Sequence, residues 1–284
     1  PAGRGRKLTP SPVKNYAVEN GLTVLQPSNL KSEEFIEQLQ NLQIDLQIVV
    51  AFRMLPESVW NMPEKGTFNI HGSLLPQYRG AAPINWAIIN GETKTGVTSF
   101  FLEHIIDTGS IINSKEISIG DNDNVEDIHD KLMFLGAELT LETISAIETG
   151  NIKTRSQKDF IDKNSPLKNA PKIFKQDCRI DWSNNINDIH NFIRGLSPYP
   201  GAFTEIVNSD GKTVYIKIFK ATKIYSFDKY INTSILSDNK TFFRIAVKGG
   251  LIEIDEIQMK GKKRMDIQSF LRGFDLDNTW SLKA

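Results

Sequence analysis

The chain has 284 residues, 39% of them hydrophobic and 24% charged, a balance that suits one large or two ordinary globular domains and excludes a low-complexity chain. Thirty-four basic residues offset thirty-four acidic ones, so net charge gives no ground for nucleic-acid or membrane binding, and any basic surface must come from local clustering. A lone cysteine, Cys178, cannot close an internal disulfide. No Cys/His cluster has zinc-ligand spacing, and neither a signal peptide nor an apolar run of about 18 residues is present, so a cytoplasmic protein without metal or membrane span is expected.

The opening PAGRGRKLTPSPVK carries Arg4, Arg6, Lys7 and Lys14 with no acidic residue and no methionine, and reads as a loop from a chain that has lost a preceding segment. Leu22 to Leu25 is a short strand candidate. Ser32 to Leu42 predicts a helix with Ser32 as N-cap and Glu33 and Glu34 in its first turn. Asp45 to Phe52 is a continuous apolar run of the kind found in a parallel strand covered on both faces, so the order is strand, helix, strand. Asn69 and His71 share a face if Phe68 to Ile70 continues a strand. Pro83 then opens a helix that Gly91 ends.

Two β-rich segments, GVTSFFLE and GSIINSKEISI, flank the turn HIIDTG with His104 and Asp107. From Val125 to Thr149, Ile128, Leu132, Leu135, Leu139, Ile144 and Ile147 recur at mostly helical spacing before Gly150. A polar stretch with two prolines follows and reads as a linker. Beyond it come a short helix, a proline turn, and strand-like runs at Ala202 to Ile206, Val214 to Ala221, Phe242 to Val247 and Leu251 to Ile257, a pattern that predicts a small barrel. A last helix starts at Asp266 and stops near Gly273. His129 and His190 fall in helix candidates and carry no functional expectation.

Asn69, His71 and Asp107 make a chemically coherent set. A carboxamide and an imidazole can donate to an oxyanion while a carboxylate orients the imidazole or takes protons through water. The same three residue types also form purely structural networks, and spacing does not separate the two readings.

The stretch FNIHGSLLPQYRGAAPINWAIINGETKTGVTSFFLEHIIDTGSII resembles the formyltransferases that use 10-formyltetrahydrofolate, in which an N-x-H-x-S-L-L-P segment precedes a distant D-x-G. RGAAPI at Arg79 to Ile84, the basic opening and RIDW at Arg179 to Trp182 are similar to the methionyl-tRNA formyltransferases of that superfamily. The resemblance covers almost the whole chain. It implies an α/β fold: a Rossmann-like formyltransferase domain with a parallel-rich sheet, followed by a small OB-like β-barrel domain. The expected boundaries are 1–151 for catalysis, 152–177 for the linker and 178–284 for the tRNA-binding domain. The family's first strand-helix-strand, about 40 residues by analogy with a βαβ unit, is expected to be missing from the front.

The resemblance also implies site residues. Asn69, His71 and Asp107 match the catalytic trio. Ser73, Leu74, Leu75 and Pro76 match the folate segment, with Met54 and Leu55 as apolar walls for the pterin. Arg4, Arg6 and Lys7 in the opening loop, with Lys260, Lys262, Lys263 and Arg264 in QMKGKKRM, are expected to contact tRNA phosphates. The donor expected is 10-formyltetrahydrofolate and the acceptor initiator methionyl-tRNA, with a monomeric protein and no metal. The trio alone leaves the acceptor open, since formyltransferases acting on small amines share it.

Overall fold

The computed structural model describes residues 9–50, 54–161, 166–226, 231 and 233–283. Arg4, Arg6 and Lys7 therefore lie outside the described residues. Two compact units are present, one built from 9–47 and 54–66, the other from 48–50 and the described residues of 67–283.

The smaller unit is helical. Helix α1 (Pro12–Glu19) starts at Ser11, whose backbone is extended and whose Oγ accepts the Lys14 N–H at 3.2 Å, with Pro12 in the first turn. The loop expected of the basic opening gives way to helix over residues 12–14, because Ser before Pro is a helix-start signal. Helix α2 (Glu33–Asn41) begins where expected, but the Ser32 hydroxyl donates to Asn29 O at 3.1 Å rather than capping the helix. Phe35 and Leu39, one turn apart, face Val59 of the short α3 (Glu57–Trp60), and Leu25, Leu30, Leu55 and Met62 pack around them. The strand expected at Leu22 to Leu25 is absent. Leu22 N–H instead closes the end of α1 on Ala17 O at 2.8 Å, and Leu25 turns into this cluster.

The larger unit holds two main sheets. The first has the order β1-β2-β4-β5, with β1 (Gln47–Val50), β2 (Thr67–His71), β4 (Lys94–Phe101) and β5 (Ile111–Ser118). Strand β2 runs antiparallel to β4, pairing Asn69 with Phe100 and His71 with Thr98, and β4 runs antiparallel to β5. Two-residue β3 (Arg79–Gly80) pairs in parallel with β6 (Asn169–Ala170), which ties the loop after β2 to the stretch beyond the long helix.

That helix, α5 (Val125–Glu148), starts at a reciprocal cap in which Asn124 Oδ1 accepts from Asp127 N–H and Asp127 Oδ2 accepts from Asn124 N–H. Its buried residues, Ile128, Leu132, Gly136, Leu139 and Thr143, recur every three or four positions, as one helical face requires. At Gly136 the helix packs against β2, where a Cβ would make ordinary van der Waals contact with Ile70 Cγ2 at 3.4 Å. Helix α4 (Pro83–Ile89) adds Ala87 and Ile88 to the same core.

The second sheet is antiparallel and barrel-like. Its order is β13-β7-β8-β11-β10-β9, with β12 on β11: β7 (Ala202–Val207), β8 (Thr213–Tyr225), β9 (Ile235–Ser237), β10 (Phe243–Val247), β11 (Gly250–Met259), β12 (Met265–Asp266) and β13 (Ser281–Leu282). Helix α6 (Ile186–Gly195) buries Ile186, Ile189 and Ile193, and α7 (Ile267–Leu271) buries Phe270, in one apolar core. Each such side chain contributes about 1.5–3 kcal/mol on burial. The mixed α/β sheet followed by a barrel is the architecture the sequence led us to expect. The stretch between them is structured in its described parts, with 3-10 turns at Gln157–Phe160 and Lys175–Cys178 as well as β6. No helix of the described residues is long and apolar enough to cross a membrane.

Candidate active site

Alternation along β2 sends Ile70 to the α5 side, so Asn69 and His71 occupy the opposite face. His71 is 6% exposed and stands edge-on to Phe100, 6.5 Å between ring centres. Its Nε2 lies 2.9 Å from the backbone oxygen of Tyr78, which can only accept, so the network assigns the hydrogen to Nε2. Tyr78 reaches that position with φ +60, and its own N–H is tied to Lys168 O at 2.6 Å. The ring is thus oriented by a backbone carbonyl.

The other ring nitrogen, Nδ1, faces Asp107 Oδ2 at 3.9 Å. That is too long for a direct hydrogen bond and short enough for a bridging atom or a small closure. Asp107 is 9% exposed and sits in the left-handed region at φ +56. Its Oδ2 accepts Gly80 N–H at 2.9 Å. Gly80 itself has φ +125, and a Cβ there would meet Ala170 O at 2.5 Å, so the β3–β6 pairing that aims this N–H requires glycine.

Two further groups complete the surroundings. Asn69 is half-buried, and its Oδ1 is buried without a hydrogen-bond partner. A buried acceptor left unpaired costs about 1–3 kcal/mol, which a ligand's donor would recover. Gln157, 3% exposed, donates from Nε2 to Asp107 O at 2.9 Å and Gly109 O at 2.8 Å. Its Oε1 accepts from Arg79 Nε at 3.0 Å and Nη2 at 2.6 Å. Burial lowers the Arg79 pKa from its ordinary value, while the Asp107 charge opposes that shift.

The expected folate segment builds the loop itself. Ser73 is fully buried and donates to Gln77 O at 2.7 Å, while Thr98 Oγ1 donates to Ser73 O and accepts from Leu75 N–H. Leu75 packs with Phe100 and Ile111, Pro76 is buried, and Leu74 is half-buried over Gly96. Met54 and Leu55 belong to the smaller unit, where Met54 is exposed and Leu55 packs on the helical cluster. Lys260, Lys262, Lys263 and Arg264 are all exposed around the β11–β12 turn of the barrel. Arg264 is held there by Glu256 and by the Phe219 ring, 4.4 Å from its guanidinium carbon. Among the described residues, no group of three or more His, Cys, Asp or Glu side chains could hold a metal ion.

Sequence reasoning did not find Tyr78, Gly80 or Gln157. Tyr78 acts through a carbonyl that any residue would supply. Gly80 carried a signal in principle, a glycine just before a helix entry. Gln157 carried none, because it sits in a polar stretch without periodicity.

The formyl transferase family model matches residues 1–144, and the model of the formyl transferase C-terminal domain matches residues 172–275. The methionyl-tRNA formyltransferase of Bacteroides fragilis (strain ATCC 25285) is 53% identical over 284 residues, covering 100% of this chain and 87% of the relative. That of Phocaeicola vulgatus is 56% identical over 275 residues, 96% of this chain and 85% of the relative. Among solved structures, HypX from Aquifex aeolicus in complex with tetrahydrofolic acid shares the fold, with a TM-score of 0.60 at 20% identity over 88% of this chain and 44% of that one. With both halves matched and more than half the residues shared with named relatives, the chain belongs to the methionyl-tRNA formyltransferases of the formyl transferase family.

Proposed function

We propose that this protein transfers the formyl group of 10-formyltetrahydrofolate to the α-amino group of methionyl initiator tRNA, in the cytoplasm and as a monomer. Residues 1–151 carry the chemistry in this reading, 152–177 connect, and 178–284 hold the tRNA. The observation that carries it is the convergence of Asn69, His71 and Asp107 from β2 and the β4–β5 turn. Nδ1 of His71 and Oδ1 of Asn69 have no direct hydrogen bond within that cluster.

The donor is a substrate, and its formyl carbon is a weak electrophile. The methionyl amine attacks that carbon, a C–N bond forms, and the carbonyl π pair moves to oxygen. With Nε2 committed to Tyr78 O, Nδ1 is the nitrogen that serves the reaction. Asn69, turned to present its amide NH2, and a protonated Nδ1 donate to the oxyanion, and one such donor contributes about 100- to 1000-fold in rate. When the oxyanion collapses, the bond to the folate nitrogen breaks. The proton shed by the amine passes to the Asp107 carboxylate, directly or through water, and from there to that leaving nitrogen, while His71 keeps its proton for the oxyanion and Gly80 N–H holds the carboxylate in place. Lys260, Lys262 and Lys263 offer exposed charge for phosphates, and Ser73 to Pro76 shape the loop beside the folate.

The test is to incubate the protein with 10-formyltetrahydrofolate and either methionine-charged initiator tRNA or an amino-sugar nucleotide, and to identify the formylated product by mass. Formyl-methionyl-tRNA as the product supports the reading. Formylation of the sugar amine alone overturns the choice of acceptor.

A further inference from the structure

We infer that Gln157 is a positioning residue for the transfer, holding the Asp107 turn in its working geometry from a segment about fifty residues further along the chain. The inference rests on the reading of Asp107 given above.

Asp107 occupies a conformation that a non-glycine residue adopts at a cost, with φ +56. Such a turn persists only when its surroundings hold it. Gly80 N–H fixes the carboxylate, yet the backbone of the turn needs its own restraint, because a peptide rotation would swing Oδ2 away from His71 Nδ1. Gln157 supplies that restraint. Both hydrogens of its carboxamide are spent on the turn, one on Asp107 O at 2.9 Å and one on Gly109 O at 2.8 Å, straddling Thr108.

The carboxamide is held in turn. Arg79 places two donors on Oε1, at 3.0 and 2.6 Å, which selects the amide orientation with NH2 toward the turn. Arg79 immediately precedes Gly80, so one two-residue strand carries both the grip on Gln157 and the donor to the Asp107 carboxylate. The backbone of Arg155 is fastened to Ile111 by a reciprocal pair at 2.9 Å each, which sets Gln157 beside the turn that leads into β5. The side chain is nearly sealed from water at 3% exposure, so its hydrogen bonds meet little competition. The hydrogen bonds of Gln157 go to the Asp107 turn and to Arg79, so its effect on the reaction runs through Asp107.

The experiment is a cycle of Gln157→Glu, Gln157→Met, Asp107→Asn and the double variants, read as kcat and KM for both substrates. Gln157→Glu keeps the volume and the acceptor for Arg79 but removes both donors and sets an oxygen against two carbonyls. Gln157→Met removes every polar contact. A role confined to filling space or to pairing Arg79 survives Gln157→Glu, whereas a role in holding the turn does not.

The expected result is a fall in kcat of about 10- to 100-fold for both single variants, with KM within about twofold, as misplacement of a reacting group predicts. On the Asp107→Asn background the same changes should cost nothing further, because the group they position is gone. Wild-type kcat in Gln157→Glu, or equal losses in both backgrounds, would overturn the inference. If Asp107→Asn keeps full kcat, the reading of the site itself falls, an outcome distinct from loss of the Gln157 role alone. Should Gln157→Met fail to fold, the isosteric Gln157→Glu still decides.

Discussion

The two main sheets of the larger unit use burial differently. Around β2, β4 and β5, buried positions go to Ser73, Thr98, Ser99, Thr143, His71, Asp107 and Gln157, alongside apolar residues. They are linked by specific hydrogen bonds such as Thr143 Oγ1 to Ser99 Oγ at 2.9 Å. The barrel instead fills its interior with isoleucine and aromatic rings, Phe243, Phe270, Phe274 and Trp280 forming a continuous stack. Polar burial is nearly neutral for stability, because each internal hydrogen bond replaces one to water, but it fixes atoms in place. Apolar burial stabilises without fixing any particular atom for chemistry. The first sheet is therefore where small changes should cost rate, and the barrel where they should cost stability.

The sharpest break of that contrast is at Asp107. Asp107→Asn should lower kcat by about 100- to 10,000-fold, the range for loss of a proton-transfer group, while tRNA binding and the unfolding temperature change little. Single-turnover kinetics beside a thermal melt would check both halves, and a large drop in melting temperature would contradict the division of labour. In the barrel, Phe270→Ala should cost about 3–5 kcal/mol in denaturant unfolding, since a ring 1% exposed between Phe243 and Phe274 leaves a cavity. Its single-turnover rate, measured on the fraction still folded, should match wild type.

His190 of α6 is a buried polar group that tests the barrel side. It is 3% exposed with Nδ1 unpartnered, and burial, with Lys223 and Arg194 nearby, pushes its pKa from 6.5 down to about 4; a hydrogen bond to the Ala221 backbone and the charge of Asp121 oppose this. Between those values the unfolded chain binds the proton and the folded chain does not. Stability from this group is therefore full above pH 6.5 and falls as pH drops toward 4, by at most about 3 kcal/mol. Melting temperatures from pH 7 to 5 should fall more steeply for the wild type than for His190→Gln; parallel curves would remove His190 as the cause.

The mildest change concerns the surface. Lys262→Ala with Lys263→Ala should raise KM for charged tRNA and reduce the magnitude of the salt slope of binding by about one per lysine, with kcat unchanged. A salt titration of binding would read this, and an unaltered slope would take the β11–β12 turn out of the RNA contact.

Much of this contrast was legible in the residues. Asn69 and His71 read as sharing a face because strand alternation is a local rule, and α5 was visible from its spaced apolar residues. The barrel strands announced themselves as short β-branched runs between turns. Asp107 stands out by its place in a glycine-containing turn between two predicted strands, and the D-x-G pattern matches it. Helix α1 was missed because its helix-start signal lay within a run of basic residues, and the strand expected at Leu22 failed because its backbone closes that helix.

Local chemistry by itself thus determined most of the helices and strands, α1 and the segment from Leu22 apart, and which side chains could act, since those follow from the spacing of neighbours along one chain. Only the tertiary structure decided how the side chains are aimed. The His71 ring is set by the Tyr78 carbonyl, the Asp107 carboxylate by Gly80 N–H, and its turn by Gln157. Such contacts join positions far apart in sequence through backbone atoms common to every residue. The required glycine at Gly80 apart, they leave no mark in the letters, and only the packed chain brings them within hydrogen-bond range.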